Sequence, residues 1–211
     1  FISRVGGHAV LVNSAALKLA SLTTKISIIG GDLHVNNNGE LTGILIDNAI
    51  DLVAQFIPEN STQDYIQALM KAQEECFKHG LTTVDDAGLD YQIVELIDSL
   101  QKSGDLKMKI YAMLSDNPEN FEHYTSPYKT DLLNVRSFKF YGDGSLGSRG
   151  ACLKNPYEDL DSAHYGALLS SLQHFQEKAE WCYNHGFQMN THCIGDSANS
   201  IILKTYADML G

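Results

Sequence analysis

From residue 60 onward, the apolar residues follow two alternating spacings. Apolar residues three and four positions apart, such as Ile66, Leu69, Met70 and Phe77, predict amphipathic helices. Most of these stretches end at a glycine, after which a short apolar run predicts a buried strand. The order of helix, glycine and strand, repeated along the chain, is typical of a parallel sheet with right-handed crossovers. The predicted strands lie at 81–86, 107–114, 135–141 and 187–193.

The number of predicted strands fits half of a closed barrel. A (β/α)8 barrel of the TIM type needs eight strands and about 250 residues, whereas this chain has 211 residues and four predicted parallel strands. We therefore predict an α/β fold in which residues 59–211 form a partial (β/α)8 TIM-type barrel. Such a sheet has two open edges, so the isolated chain is expected either to self-associate, for example as a homo-oligomer, or to be found only together with the rest of a longer protein.

Residues 1–58 follow a different pattern. A short helix is predicted from Asn13 to Ala20 because Asn followed by Ser is a good helix start. The turn sequence Asn36–Gly39 predicts a β-hairpin over 32–46, and a helix is predicted over 47–56. We interpret this part as a small insertion subdomain packed beside the barrel.

Composition and charge exclude several classes of function. The net charge is −11 and the isoelectric point about 5.0, without a basic cluster, which argues against nucleic-acid and anionic-membrane partners. No apolar run reaches the ~20 residues of a membrane span. The four cysteines are far apart and form no CxxC pair, so no disulfide framework is expected and a cytoplasmic location is the default. Because the chain starts at Phe1 without an initiator Met or a signal-like segment, we expect a piece of a longer protein.

Lys139 lies in the third predicted strand between Phe138 and Phe140. A buried lysine costs free energy unless it is paired or chemically modified. Burial lowers the pKa of a lysine and favours the neutral amine, which can react with carbon dioxide to give a carbamate that binds a divalent metal. The alternative is an ordinary ion pair with Asp143 or Asp196.

His192 ends the fourth predicted strand, at the edge where barrel enzymes place their catalytic groups. It is either a metal ligand oriented through its second ring nitrogen or a satisfied core histidine. Asp85 and Asp86 follow the first predicted strand. They either orient a ligand or a metal-bound water, or they cap the next helix through Asp90 and the Ala87-Gly88 turn, and we favour capping. We expect the side chains of Lys139 and His192 to converge, together with Asp85 or Asp143.

The glycine-rich loop Gly142–Arg149 comes directly after the lysine strand. It lacks the Lys-Ser/Thr ending of a phosphate-binding loop, so a substrate-facing loop is the better interpretation. Within it, Asp143 is a candidate substrate-binding residue and Arg149 a candidate anchor for a substrate carboxylate. His8 is either a further substrate contact or a surface or capping histidine.

Five segments, in order along nearly the whole chain, resemble motifs of amidohydrolase family 3, the YtcJ-like branch of the metal-dependent amidohydrolase superfamily. Arg4–Leu17 resembles R-x-D-G-H-x-x-x-x-N-S-x-A-L, and Gly39–Leu45 resembles G-E-x-T-G-x-L. Gly80–Gly88 is similar to G-x-T-x-V-x-D-x-G, Lys139–Gly147 to K-x-x-x-D-G-S-x-G, and His192–Asp196 to H-x-I-G-D.

The resemblance implies a metal-dependent hydrolase that acts on carbon–nitrogen bonds other than peptide bonds. It implies a small amide-type substrate and a divalent metal, zinc first, which lowers the pKa of a bound water to about 7. It also implies that the chain covers about strands 2 to 5 of the barrel. In that frame Lys139 is the carbamylated ligand of strand 4, and His192 is a direct ligand at the end of strand 5.

The chain also departs from the family pattern. The HxH pair of strand 1, a later histidine and the strand-8 general-base aspartate have no counterpart here, and Gly6 stands where the family usually has Asp. The catalytic aspartate is expected beyond Gly211, so the isolated chain is expected to bind metal weakly and to be inactive. The alternative function is a non-catalytic binding or regulatory module on the amidohydrolase scaffold.

Overall fold

The structure, a computed structural model, describes residues 1–58, 60–160 and 162–211. It divides the chain into two compact units. The first unit comprises Phe1–Pro58, Tyr141–Gln176 and His192–Gly211, and the second comprises Glu59–Phe140 and Glu177–Thr191. The predicted boundary after residue 58 coincides with a boundary between the units, although residue 59 itself lies outside the described residues. The predicted division into an insertion (1–58) and a barrel domain (59–211) stays a prediction, because the first unit also includes later segments.

Antiparallel strands, most of them short, come first along the chain, and helices alternating with strands follow. In chain order they are β1 (Ile2–Ser3), β2 (Ala9–Leu11), α1 (Ser14–Leu19), β3 (Gly31–Val35), β4 (Leu41–Asp47), α2 (Asp51–Ala54), α3 (Thr62–Lys78), β5 (Thr83–Leu89), α4 (Tyr91–Ser103), β6 (Lys109–Ser115), α5 (Pro118–His123), β7 (Tyr128–Lys129), β8 (Leu133–Tyr141), α6 (Leu172–Asn184), β9 (Gln188–His192) and α7 (Asp196–Leu210). A 3-10 turn at Leu146–Ser148 lies in the glycine-rich loop. Among the described residues, no helix has both the length and the apolar character needed to cross a membrane.

The first unit contains an antiparallel sheet in the order β1-β2-β4-β3. The predicted hairpin is confirmed, since β3 pairs antiparallel with β4 and Gly39 takes a positive φ of 79° in the turn. The strands β1 and β2 were not predicted. The predicted helix over 47–56 is wrong in its first part, because Asp47 is the last residue of β4 and only Asp51–Ala54 is helical. Asp47 has a φ of 46°, in the left-handed region that aspartate tolerates better than most residues.

The predicted helix at Asn13 is confirmed as α1. The Asn13 side-chain oxygen accepts a hydrogen bond from the amide of Ala16 at 3.0 Å. This bond satisfies one of the amides that a helix leaves without an intrahelical partner at its start. Asparagine in the N-S segment of the first motif therefore has a clear structural role.

Replacing Asn13 by Ala is expected to lower the free energy of unfolding by about 1 kcal/mol, because the Ala16 amide loses its partner. Asn13→Ser restores a capping oxygen and should recover most of the loss. Ser14→Ala changes the neighbouring exposed residue and is the control. Urea denaturation measures all three variants, and equal stability of Asn13→Ala and Ser14→Ala would contradict the capping role.

In the second unit the predicted parallel pairing is confirmed for β5, β6 and β8. β5 and β8 each pair parallel with β6, β9 pairs with β8, and the short β7 runs antiparallel to β8. Its core consists of apolar residues from these strands and their helices, and Phe138 at its centre stacks on Phe121 with ring centroids 4.2 Å apart. Phe121 belongs to α5, a helix that was not predicted because its stretch has no apolar period.

The prediction that Asp85 and Asp86 cap the next helix is wrong. Both residues lie inside β5, which continues to Leu89. The residue at the start of α4 is Asp90, whose side chain makes no capping bond and instead accepts a hydrogen bond from the Ser115 hydroxyl at 2.6 Å. Burial raises the pKa of Asp86.

Candidate active site

Three rings lie together in the first unit, those of His8, Tyr141 and His192. His8 directly precedes β2, while Tyr141 and His192 are the last residues of β8 and β9. The ring centroids of His8 and His192 are 5.2 Å apart, and the Tyr141 ring lies 5.7 Å from His192 and 6.5 Å from His8. The amide of Gly142 donates to the carbonyl oxygen of His192 at 2.8 Å. A predicted substrate contact and a predicted metal ligand are therefore neighbours.

Asp47 holds His8. Its Oδ1 lies 2.8 Å from Nδ1 of His8, and the Asp47 side chain is only 3% exposed. Burial raises the pKa of Asp47, while the hydrogen bond with His8 opposes the rise. No pattern in the sequence points to Asp47 as a site residue, since it was expected at the start of a helix.

Asp143 is fully buried, and its carboxylate accepts three backbone hydrogen bonds. Oδ1 accepts from Ile194, and Oδ2 accepts from Gly195 and Cys152, each at 2.8 Å. The aspartate of the D-G-S motif is thus bonded to the backbone of the H-x-I-G-D motif, directly after His192. This arrangement is typical of a structural carboxylate, and the substrate contact of Asp143 stays a prediction.

Arg149 already binds a carboxylate of the protein. Its Nη2 lies 2.8 Å from Oδ2 of Asp159, and its Nε lies 3.2 Å and 3.3 Å from the two oxygens. Both side chains are exposed. The pair shows that this guanidinium is placed for two-pronged carboxylate binding, while its role as a substrate anchor stays a prediction.

A cavity of about 410 Å³ lies in the first unit beside these residues. Its lining includes Asp47 and His34 from the hairpin side and Arg149 and Gly150 from the glycine-rich loop. The loop thus borders a space large enough for a small molecule. A substrate-facing loop remains the interpretation that suits this lining.

Lys139 belongs to the second unit. It is half-buried between the fully buried Phe138 and Phe140, and its Nζ donates to the carbonyl oxygen of Phe140 at 3.0 Å. Its register partner on β6 is Ser115. The predicted position of the lysine on a core strand is confirmed, whereas its convergence with His192 and its carbamylation stay predictions.

The fit to a metal can be tested on the side chains themselves. Within the part of the chain that the structure describes, no three or more His, Cys, Asp or Glu side chains are grouped to hold a metal ion. A closed zinc site has four protein ligands, and a catalytic one usually has three. Lys139 and His192 are too few to enclose an ion, so we derive no catalytic step through a metal from these residues.

Comparison with known proteins gives matches over nearly the whole chain. The YtcJ protein of Bacillus subtilis (strain 168), whose name describes an amidohydrolase, is 28% identical over 96% of this chain and 39% of its own length. Protein LONG AFTER FAR-RED 3 of Arabidopsis thaliana is 28% identical over 98% of this chain and 38% of its own length. The chain thus spans about two fifths of the length of these relatives.

Two solved structures also match over nearly the whole chain. The crystal structure of an uncharacterized metal-dependent hydrolase from Pyrococcus furiosus is 26% identical, with a TM-score of 0.72 over 96% of this chain and 42% of that chain. The corresponding hydrolase from Pyrococcus horikoshii OT3 is 24% identical, with a TM-score of 0.74 over 99% of this chain and 42% of that chain. The model of the amidohydrolase family matches residues 1–209, which confirms the resemblance seen in the five motifs. This chain belongs to the amidohydrolase family.

Proposed function

We propose that this chain is part of a metal-dependent hydrolase that cleaves carbon–nitrogen bonds, other than peptide bonds, in small amide-type molecules. The observation that carries the proposal is the family match over residues 1–209, which includes all five motifs. The solved relatives are described as metal-dependent hydrolases, which supports a divalent metal. For the same reason, a non-catalytic binding or regulatory module is the less favoured alternative.

In this proposal the parallel strands form part of a (β/α)8 barrel, and Lys139 and His192 are two of the metal ligands. Lys139 acts as a carbamate, and zinc is the first candidate for the metal. The remaining ligands and the general-base aspartate come from other parts of a longer protein. The share of its relatives that this chain spans, about two fifths, supports that division.

The chain itself supplies groups that bind and orient a substrate. His8 and Tyr141 flank His192, and Tyr141 is 48% exposed. A tyrosine hydroxyl both donates and accepts, which suits the N–H and C=O of an amide. Arg149 selects substrates that carry a carboxylate, in place of its present partner Asp159.

The full-length protein containing this chain tests the proposal. We expect a stoichiometric divalent metal by elemental analysis and hydrolysis of at least one class among N-acyl amino acids, formamides and cyclic amides. Activity should disappear with a chelator and return with added metal. A metal-free full-length protein that binds such molecules without hydrolysing them would overturn the proposal in favour of the binding module.

A further inference from the structure

Asp47 contacts His8 through both its side chain and its main chain. The carboxylate lies 2.8 Å from the His8 ring, and the Asp47 amide donates to the His8 carbonyl oxygen at 3.2 Å. The adjacent strand pair, Ala9 with Ile46, places the two residues opposite each other. The ring of His8 is therefore oriented from one side by a buried carboxylate and faces His192 at 5.2 Å.

Two glycines of the glycine-rich loop provide the space for the Asp47 carboxylate. A Cβ atom added at Gly144 or at Gly150 would overlap with Oδ2 of Asp47. Neither glycine has a positive φ, so the backbone conformation does not require glycine at these positions. The amide of Gly144 donates to the Gly150 carbonyl oxygen at 3.3 Å, which keeps both against the carboxylate. The close approach of Asp47 is the physical reason for glycine here.

We propose that Asp47 is a positioning residue that holds His8 in the Nδ1–H tautomer, so that Nε2 of His8 accepts a hydrogen bond from an N–H of the substrate. An ionised carboxylate only accepts, so the hydrogen bond places the proton on Nδ1, and a neutral imidazole then has its acceptor at Nε2. The acceptor at Nε2 rests on the hydrogen-bond geometry of this chain. The assignment of the substrate rests on the proposed function.

The tautomer of His8 is the direct test. Two-bond proton–nitrogen NMR of the full-length protein labelled with 15N-histidine is recorded well above pH 6.5, about the usual pKa of histidine. The His8 signal is identified by its loss in His8→Gln. We expect the Nδ1–H pattern in the wild type and a shift toward the Nε2–H pattern in Asp47→Ala. An Nε2–H pattern in the wild type would overturn the proposal, whether or not any variant folds.

The glycines give a second test with a matched control. Gly144→Ala is expected to displace the Asp47 carboxylate and to shift the His8 tautomer as Asp47→Ala does, because its three closest atoms all belong to Asp47. Gly147→Ala lies in the same loop, where the closest atom is 3.4 Å away at the end of the Arg4 side chain. It should leave the tautomer unchanged. The same tautomer in both alanine variants would contradict the role of Asp47.

Steady-state kinetics separate positioning from a merely structural role. Asp47→Asn is expected to raise KM about 10- to 100-fold with a smaller change in kcat, because it weakens a hydrogen bond that serves substrate binding. In the His8→Gln background the same substitution should have no further effect. Full additivity would refute the coupling. Absence of any hydrolysis would sink the proposed function instead, while the tautomer result would still decide the role of Asp47.

Discussion

Replacing His192 by Asn in the full-length protein is expected to leave it with less than stoichiometric metal and to lower kcat/KM by more than about 100-fold. His192 is the histidine of the H-x-I-G-D motif and ends β9, and its ring faces His8 at 5.2 Å. Loss even of a residue that only supports a metal ligand typically costs about 10- to 100-fold, and loss of a ligand costs more. Elemental analysis and initial rates measure the two effects.

His185→Asn is the matched control for this substitution. His185 is another half-buried histidine, and its Nδ1 lies 2.8 Å from the carbonyl oxygen of Trp181 at the end of α6. We expect its metal content and kcat/KM to stay within about threefold of the wild type. Full metal occupancy in His192→Asn would show that His192 is a core histidine rather than a ligand, the alternative that its sequence position leaves open.

Lys139→Met should have the same effect on the metal, because a thioether cannot form a carbamate. Growth or exchange with 13C-bicarbonate should give the wild type an additional carbonyl NMR signal that the variant lacks. Lys109→Met, an exposed lysine at the start of β6, is the control. A wild-type protein without the extra signal would leave Lys139 as an ordinary strand lysine.

The regular part of the fold was predictable because its signals are local. A glycine that ends a helix and an apolar run that follows it are read within about ten residues, and α4 ending at Gly104 with a φ of 84° shows the pattern. The hairpin around Gly39 is equally local, since its turn residues fix its register. The end of the strand before α4 was not predictable in this way, and Asp85 and Asp86 continue β5 instead of capping.

The candidate site was only partly predictable, because it is assembled by contacts between distant segments. Asp47 pairs with His8, thirty-nine positions away, and packs on Gly144 and Gly150. A helix was expected at Asp47, since the left-handed φ that ends β4 there leaves no trace in the apolar pattern. The G-E-x-T-G-x-L motif stops two residues before Asp47, so the resemblance also passed over it. The sequence indicated a flexible glycine-rich loop. It did not indicate that the Asp47 carboxylate lies too close to Gly144 and Gly150 for a side chain at either position.

Asp143 is a second site residue whose surroundings the sequence did not predict. Its motif predicted a substrate-facing residue, and the structure places it beneath the surface at the start of α7. It accepts from the amides of Ile194 and Gly195, while the amides of Ser197 and Ala198 donate to the carbonyl oxygen of Cys152 at 3.1 Å and 3.3 Å. Since α7 has no side-chain cap, these two acceptors together bind four amides at or next to its start. The positive end of the helix dipole further favours a carboxylate there.

Asp143→Ala is therefore expected to lower the free energy of unfolding by at least about 3 kcal/mol. The substitution removes the acceptor of three amides at the buried Asp143 site, and leaving a buried donor without a partner costs about 1–3 kcal/mol. Asp143→Asn should lower the free energy of unfolding by less, because the asparagine side chain keeps one accepting oxygen. It should still be less stable than the wild type, because its NH2 group faces the remaining backbone amides as a second donor. Urea denaturation of the full-length protein measures both variants.

Asp159→Asn is the control for the buried carboxylate, because Asp159 is an exposed aspartate whose partner, Arg149, is also exposed. We expect no measurable change in its stability, since exposed ion pairs contribute little. Asp143→Ala should also release the backbone that follows His192, so protection of the Ile194 and Gly195 amides from hydrogen exchange is expected to fall before global unfolding. Stability within about 0.5 kcal/mol of the wild type, with unchanged protection, would mean that water replaces the carboxylate. In that case the three backbone hydrogen bonds would not explain why an aspartate stands in the D-G-S motif.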